Sequence, residues 1–266
     1  MADRPNLHEI APFLDELADV SARVILPKFR SGIAIDNKLA GQQFDPVTAA
    51  DREAEAVMRE RILAQYPDHG ILGEEYGNDR IDAERVWVLD PIDGTRAFIC
   101  GLPTWGTLIG LTEKGRPVLG MMNQPFTGER YAGDTDRAWY RGPDGSRDLQ
   151  TRACDNPEQA VLLTTTPALF PDHERSRYDR IEATVRLARY GTDCYGYAMV
   201  ASGQADAVIE SGLKPYDIVA LIPIIEGAGG IVTSWTGGSA AEGGQVLATG
   251  DPRLHERLLA MLAIAD

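Results

Sequence analysis

An apolar run ends in two aspartates that stand three residues apart, in the segment Trp87-Val-Leu-Asp-Pro-Ile-Asp-Gly-Thr-Arg96. Pro91 fixes one backbone dihedral angle, and Gly94 permits a conformation that most residues avoid. A turn of this composition can therefore hold Asp90 and Asp93 rigidly, with both carboxylates facing one point. The alternative for this segment is an ordinary turn between two strands.

The same turn carries further groups suited to a charged ligand. Mg²⁺ takes oxygen ligands in near-octahedral geometry, and the backbone carbonyl of Ile92 adds one to those of the two carboxylates. If Gly94 and Thr95 begin a helix, their amides form an anion site that fits a phosphate. The segment thus indicates a site for a hard cation and a phosphate group.

Three other segments contain acids that could join this pair, although each has an ordinary local interpretation. Glu74 could lie in a solvated loop, and Asp217 could complement the positive end of the helix that follows it. Thr48 and Asp51 fit the N-cap and third helical position of a capping box. The three segments are Asp45-Pro-Val-Thr-Ala-Ala-Asp51, Gly73-Glu74-Glu75 and Lys214-Pro-Tyr-Asp217.

The composition narrows the class of protein. The chain has 266 residues, of which 44% are hydrophobic and 25% charged, and its net charge is −14. Nucleic acid and anionic membranes need a basic surface, so neither is an expected partner. We see no secretory signal and no apolar run of about 18 residues. The cysteines (Cys100, Cys154 and Cys194) are far apart and form no metal or disulfide pattern, which favours a cytoplasmic location.

Elements that must position these acids follow from periodicity. Apolar residues recur at helical spacing over 6–30, and a second helix is expected over about 48–65. Several short strand-like runs follow, and a Gly- and Pro-rich segment at 142–148 predicts a linker. We therefore expect an N-terminal α+β subdomain (1–145) with most of the metal ligands. A C-terminal α/β subdomain (146–266) would carry Asp217 and the substrate-selecting residues.

Beyond the linker, helices are predicted over 173–187 and over about 216–227. Pro223 within the latter should kink it or leave a backbone hydrogen bond open. Strands and helices come in mixed order rather than in strict alternation. This order favours a layered α+β architecture over a doubly wound parallel sheet.

Taken together, the four acidic segments resemble those of the inositol monophosphatase-like family of metal-dependent phosphatases. They occur in the family's order, and the family's closing pattern appears as Glu226-Gly-Ala-Gly-Gly230. The resemblance implies a layered αβαβα sandwich, a homodimer and inhibition by lithium. It also implies hydrolysis of a small phosphate monoester with two or three Mg²⁺ ions per site.

The resemblance implies a role for each acid. Glu74, Asp90 and the Ile92 carbonyl would hold one Mg²⁺. Asp90, Asp93 and Asp217 would hold a second, so that Asp90 bridges the two. Without metal these acids would repel one another strongly, so the cluster makes sense chiefly with metal bound.

The resemblance further implies how water is activated. Thr95, helped by Asp51, would orient the attacking water and deprotonate it together with Glu74. Two Mg²⁺ ions would lower the pKa of that water and neutralise the leaving oxygen.

A narrower resemblance points to the histidinol-phosphatase branch. It rests on the segments 90–109, 190–195 and 210–217, and above all on Asp193, where inositol-specific relatives usually place a small apolar residue. Asp193 and Glu210 would pair with the ammonium and imidazole of histidinol phosphate, through charge-assisted hydrogen bonds. Gly94, Thr95 and Gly191 are expected beside the substrate. Alternatively, Asp193 is a solvated loop residue.

Other functions stay open or are excluded by missing patterns. An inositol monophosphatase or a nucleotide 3′-phosphatase would use the same metal ligands. A catalytically silent, dimeric binding protein of the same fold is the alternative outside the enzymes. The sequence lacks HExxH, GxSxG and P-loop patterns, which removes zinc proteases, serine hydrolases and P-loop enzymes. Phe98 and Trp105 are expected to pack in the core.

Overall fold

A computed structural model describes residues 7–32, 35–37, 46–134 and 136–264 of the chain. Asp45, the first acid of one predicted segment, lies outside these residues. In the described part, two β-sheets alternate with pairs of helices.

The described strands divide into one short pair and two large sheets. The short pair consists of β1 (Ile35–Asn37) and β2 (Pro46–Thr48). The first large sheet contains β3 (Gly70–Gly73), β4 (Gly77–Asp79), β5 (Arg85–Asp93), β6 (Gly106–Glu113), β7 (Arg116–Gln124), β8 (Glu129–Asp134), β9 (Ala138–Gly142) and β10 (Gly145–Asp148). The second contains β11 (Val161–Thr164), β12 (Leu187–Tyr190), β13 (Ala207–Leu213), β14 (Ile231–Ser234) and β15 (Gly244–Thr249).

Both sheets mix parallel and antiparallel pairing. The spatial order is β10-β9-β8-β7-β6-β5-β3-β4 in the first sheet and β12-β11-β13-β15-β14 in the second. In the first sheet β3 and β5 are parallel, whereas β5 to β10 form an antiparallel meander.

The helices form three layers around the two sheets. Helices α1 and α2 cover the outer face of the first sheet, α5 and α7 fill the space between the sheets, and α4 and α8 cover the outer face of the second. The predicted αβαβα layered α+β fold is confirmed. The helices are α1 (Leu7–Ile25), α2 (Ala49–Gln65), α3 (Thr95–Ile99), α4 (Asp172–Glu182), α5 (Asp193–Ala201), α6 (Pro215–Ile218), α7 (Leu221–Gly227) and α8 (Pro252–Ala263).

A row of glycines crosses the first sheet where α6 and α7 rest on it. Gly110, Gly120 and Gly133 are in register on β6, β7 and β8. A Cβ atom at Gly120 would lie 1.9 Å from the carbonyl oxygen of Ala220, and one at Gly133 would lie 2.6 Å from that of Pro223. The missing side chains therefore let this helical segment, which carries one of the predicted metal ligands, approach the sheet backbone closely.

The predicted helix over 216–227 is instead two short helices. Helix α6 ends at Ile218 and α7 begins at Leu221. Pro223 lies in the first turn of α7, where a backbone N–H has no partner within the helix, so the proline is tolerated without a kink. The prediction of one kinked helix was wrong because the break precedes the proline.

Two further predictions need correction. The helix expected over 173–187 ends at Glu182, and Leu187 begins β12, which pairs in parallel with β11. The segment 142–148, predicted as a linker, forms the turn and last strand of the β9–β10 hairpin. The chain passes from one sheet to the other between Asp148 and Val161. Within the described part of the chain, no helix is long and apolar enough to cross a membrane.

Candidate active site

Strand β5 ends in an irregular pairing that brings Asp90 and Asp93 to the same side. In a regular strand, residues three apart point to opposite faces. Here the two residues between the aspartates face a single residue of β6, Thr107, and such a bulge shifts the alternation by one. The hydroxyl of Thr107 donates to the carbonyl of Pro91 at 2.8 Å, which holds the bulge.

The turn after Asp93 adopts the conformation that its glycine allows. Gly94 has φ 82° and ψ 38°, and a Cβ atom there would lie 3.1 Å from Cβ of Asp193. Helix α3 begins at Thr95, and the hydroxyl of Thr95 donates to the carbonyl of Ile92 at 3.0 Å. Glycine is thus required here both for its backbone conformation and for space.

Asp217 reaches the same point from the second half of the chain. It lies in the first turn of α6, where the backbone N–H of Lys214 donates to its Oδ2 at 2.7 Å. One carboxylate oxygen from each of Asp90, Asp93 and Asp217 lies within 4.8 Å of the others. The structure therefore brings together three of the predicted metal ligands.

The electrostatics of this cluster suit a hard divalent cation. Burial, followed by the charges of Glu74, Asp93 and Asp217, holds the pKa of Asp90 well above its ordinary value. The pKa of Asp93 is likewise raised, first by burial and then by Asp193 and Asp217. Burial also raises the pKa of Asp217 to about 7. A cation would relieve this repulsion, and the oxygen donors are those that Mg²⁺ prefers.

Glu74 reaches the cluster because β3 and β5 are parallel. Gly73 pairs with Leu89, the residue before Asp90, so the two strands end at the same edge of the sheet. The backbone N–H of Glu74 donates to the carbonyl of Leu89 at 3.2 Å. The side chain of Glu74 lines the same cavity as the three aspartates.

Asp51 lies at the start of α2 and has the capping interactions expected there. Thr48 is the N-cap, and Oδ2 of Asp51 accepts from its backbone N–H at 2.9 Å and from its hydroxyl at 2.6 Å. Oδ1 of Asp51 is buried and has no hydrogen-bond partner among the described residues. Burial raises the pKa of Asp51 to about 6, and the charge of Glu74 contributes to the rise.

A cavity of about 230 Å³ joins the acidic cluster to residues of the second sheet. Asp193 and Glu210 line it together with Gly94 and Thr95 of the turn after β5. Burial raises the pKa of Asp193 to about 6 and that of Glu210 to about 7. Oε1 of Glu210 accepts from the backbone N–H and the hydroxyl of Thr165, at 2.8 and 2.6 Å. Asp193 is therefore a cavity residue rather than a solvated loop residue.

The backbone around Asp193 is tied to the metal ligands. The N–H of Cys194 donates to Oδ2 of Asp93 at 2.7 Å. Gly191, predicted to lie beside the substrate, is exposed and has φ 73°, and its N–H donates to the carbonyl of Thr165 at 2.8 Å. It is not one of the residues that line the cavity, so its contribution is to the turn that precedes Asp193.

Several residues of the cavity were not predicted from the sequence. Arg96 follows the predicted turn, and its positive charge offsets part of the rise that burial causes in the pKa of Asp193. Thr165 has no signal in the sequence that would mark it, because the acceptor of its hydroxyl, Glu210, lies 45 residues away. Phe98 and Trp105 are buried in the core, as predicted. The other cavity residues that the sequence did not single out are Thr164, Thr166, Leu169, Phe170, Ser211, Gly212 and Leu213.

Comparisons with known proteins agree with this geometry. The sequence profile of the inositol monophosphatase family matches residues 6–265. A bifunctional phosphatase of Arabidopsis thaliana, IMPL2 (chloroplastic), is 44% identical over 97% of this chain and 76% of its own length. A histidinol-phosphatase of Chlorobaculum parvum is 33% identical over 93% and 94%. The structure of an inositol monophosphatase from Zymomonas mobilis superposes with a TM-score of 0.87, at 42% identity over 98% of this chain and all of that one.

Proposed function

The chain belongs to the inositol monophosphatase family of metal-dependent phosphatases, and from that premise we propose that it hydrolyses histidinol phosphate to histidinol and phosphate. The observation that carries the proposal is the pair Asp193 and Glu210, which line the cavity beyond the metal-ligand cluster. A phosphatase needs acids at its metal site, but a polyol substrate offers no cation to balance two further carboxylates, of which Glu210 is buried and Asp193 half-buried.

The acidic cluster fits Mg²⁺, and the resemblance to the family implies two or three ions per site. Asp90, Asp93 and Asp217 would hold metal together with Glu74 and the carbonyl of Ile92, since their oxygens converge on one cavity. When bound, the ions supply positive charge that acidifies the attacking water and stabilises the leaving oxygen.

The chain's own residues orient the reacting groups. The backbone of Gly94 and Thr95 lies at the start of α3, where N–H groups can receive the phosphate. The hydroxyl of Thr95 donates to the carbonyl of Ile92, and its oxygen would accept a hydrogen bond from the attacking water and orient it. Glu74 in the cavity would take the other proton of that water as a base. Asp51 carries a buried, unpaired Oδ1 and would orient the Thr95 hydroxyl.

The organic part of the substrate would lie against the second sheet. Burial raises the pKa of both Asp193 and Glu210, and a bound ammonium or imidazolium would favour their ionised forms. The hydroxyl of Thr165 donates to Oε1 of Glu210. The other oxygen, Oε2, lies 3.5 Å from the hydroxyl of Tyr197. The apolar side chains of Leu169 and Phe170 could cover the imidazole ring.

A second candidate is inositol 1-phosphate, because the Zymomonas mobilis inositol monophosphatase is 42% identical to this chain. The catalytic groups would be the same, and only the contacts to Asp193 and Glu210 would differ.

We also expect a homodimer. The free thiols of Cys100, Cys154 and Cys194 support a reducing compartment such as the cytoplasm.

The test compares release of phosphate from histidinol phosphate and inositol 1-phosphate, with Mg²⁺ and at matched concentrations. We expect kcat/KM to favour histidinol phosphate by about a hundredfold, a difference of about 2.7 kcal/mol. Equal rates, or a preference for inositol 1-phosphate, would remove the proposed substrate and leave the phosphatase assignment intact.

The variant Asp193→Asn tests the reason for the preference. Asparagine tolerates the positive φ of 44° found at this position, so the backbone should not change. We expect KM for histidinol phosphate to rise about tenfold or more, while hydrolysis of an uncharged phosphate ester changes by less than about twofold. An equal effect on both esters would mean that Asp193 does not recognise the cation.

A further inference from the structure

One carboxylate on the first sheet accepts hydrogen bonds from several hydroxyl groups. Glu129, the first residue of β8, accepts from Thr127 at 2.7 Å, Tyr131 at 3.1 Å and Tyr195 at 2.5 Å. Thr127 lies in the turn before Glu129 and Tyr131 on β8, but Tyr195 belongs to α5, in the layer between the sheets. Its hydrogen bond therefore ties α5 to the first sheet.

Tyr195 lies in the first turn of α5, next to residues of the active site. Cys194 immediately precedes it and donates its N–H to Asp93. Asp193 comes two residues before it and lines the substrate cavity. Burial raises the pKa of Tyr195, so its hydroxyl is protonated at neutral pH and available as a donor. A displacement of this turn would move both the substrate-facing carboxylate and the donor to a metal ligand.

The backbone of Asp193 needs such support. It has φ 44°, in the left-handed region that residues with a side chain rarely adopt. A residue holds such a conformation only when its surroundings determine it from both sides. Before it, the N–H of Gly191 is bound to the carbonyl of Thr165. After it, the chain is held by Cys194 on Asp93 and by Tyr195 on Glu129.

We propose that Tyr195 is a positioning residue, which acts through its hydrogen bond to Glu129 to hold Asp193 in its substrate-facing conformation. The effect on specificity rests on the proposed function, because Asp193 is the residue proposed to recognise the substrate's cation. The effect on the conformation of the turn does not depend on the identity of the substrate.

The test variant is Tyr195→Phe, which removes the hydroxyl and keeps the ring. Thr127→Val is the matched control, because it removes another hydroxyl that donates to the same oxygen, Oε2 of Glu129, but from the turn before β8. Tyr131 would not serve, because its hydroxyl is also hydrogen-bonded to that of Tyr195. Each variant removes one hydrogen bond to Glu129, so we expect similar losses in the free energy of unfolding. If Tyr195 only stabilised the fold, the two variants would also show the same amide exchange and the same kinetic constants.

Two measurements separate them. In hydrogen–deuterium exchange of the full-length protein, we expect the amides of residues 191–196 to exchange about tenfold faster in Tyr195→Phe and to be unchanged in Thr127→Val. For histidinol phosphate, we expect KM to rise about tenfold in Tyr195→Phe with kcat within about twofold of the unmodified protein. Both values should stay within about twofold in Thr127→Val.

The outcomes distinguish this proposal from the proposed substrate. If the unmodified protein does not hydrolyse histidinol phosphate, the proposed substrate fails, and the exchange experiment still decides whether Tyr195 holds the turn. If exchange over residues 191–196 is the same in both variants, or if KM changes equally in both, the positioning role of Tyr195 is overturned.

Discussion

At the scale of single residues, Asp51 combines two interpretations that the sequence left open. Its Oδ2 completes the capping box of α2 with Thr48, and its Oδ1 is buried without a hydrogen-bond partner among the described residues. The capping interaction needs only an acceptor, which an amide also provides. A role in orienting the Thr95 hydroxyl would instead use the second oxygen and its charge.

The variant Asp51→Asn separates the two roles. We expect its melting temperature at about pH 8 to equal or exceed that of the unmodified protein, because burial raises the pKa of Asp51 to about 6 and its charge is therefore unfavourable there. We expect kcat to fall by about a hundredfold, as for other groups that assist proton transfer. Calorimetry and steady-state kinetics measure the two effects. An unchanged kcat would leave only the capping role.

At the scale of elements, the contiguous motif was predictable and its supports were not. The sequence placed Asp90, Asp93 and Gly94 in a rigid turn after a strand, because proline and glycine restrict the backbone locally. The bulge that aims both carboxylates the same way depends on pairing with Thr107, on another strand. Thr165 could not be predicted as a partner of Glu210 because Thr165 follows β11 and Glu210 lies on β13, 45 residues away in the sequence.

The packing of α6 and α7 on the first sheet illustrates the same limit. Each glycine in the row across β6, β7 and β8 looks like an isolated strand glycine in the sequence, which indicates close approach of another backbone without saying which one. In the structure the partner is the segment after Asp217, so the row determines how closely that metal ligand approaches the ends of the strands.

Gly120→Ala tests this connection. Its Cβ atom would lie 1.9 Å from the carbonyl oxygen of Ala220, so the helical segment must move. We expect a loss of about 1–3 kcal/mol in the free energy of unfolding, and a severalfold rise in the Mg²⁺ concentration that gives half-maximal activity. Urea unfolding and metal titration measure these effects. Gly238→Ala, where the nearest atom would be 3.4 Å away, should change neither. An unchanged Mg²⁺ requirement in Gly120→Ala would separate the packing from the site.

At the scale of the whole molecule, carboxylate side chains from both sheets line one cavity, and folding brings these like charges together. Asp90, Asp93 and Glu74 come from the first sheet, whereas Glu210 and Asp217 come from or follow β13 of the second. The net charge of −14 adds to the unfavourable field. Without metal, repulsion among these carboxylates therefore lowers the free energy of unfolding. The repulsion is concentrated where the proposed catalytic centre lies.

This repulsion predicts that the stability of the metal-free protein depends on pH, and that bound metal compensates for most of the loss. Burial raises the pKa of Asp217 and Glu210 to about 7 and that of Asp193 to about 6. Between the ordinary carboxyl pKa near 4 and these raised values, the folded state binds more protons than the unfolded state. The stability of the metal-free protein should therefore fall as the pH rises from about 4 to about 7.

Mg²⁺ should restore most of this loss, since it binds the ionised carboxylates and competes with protons. We expect the rise in melting temperature on adding Mg²⁺ to be several degrees larger at about pH 8 than at about pH 5. Calorimetry with a chelator and with excess Mg²⁺ at both pH values measures it. Asp217→Asn should flatten the pH dependence of the metal-free protein and reduce the gain from Mg²⁺, because one ligand and one raised pKa are removed together. A gain from Mg²⁺ that is equal at both pH values, or larger at the lower one, would contradict the assignment of these carboxylates as the metal ligands.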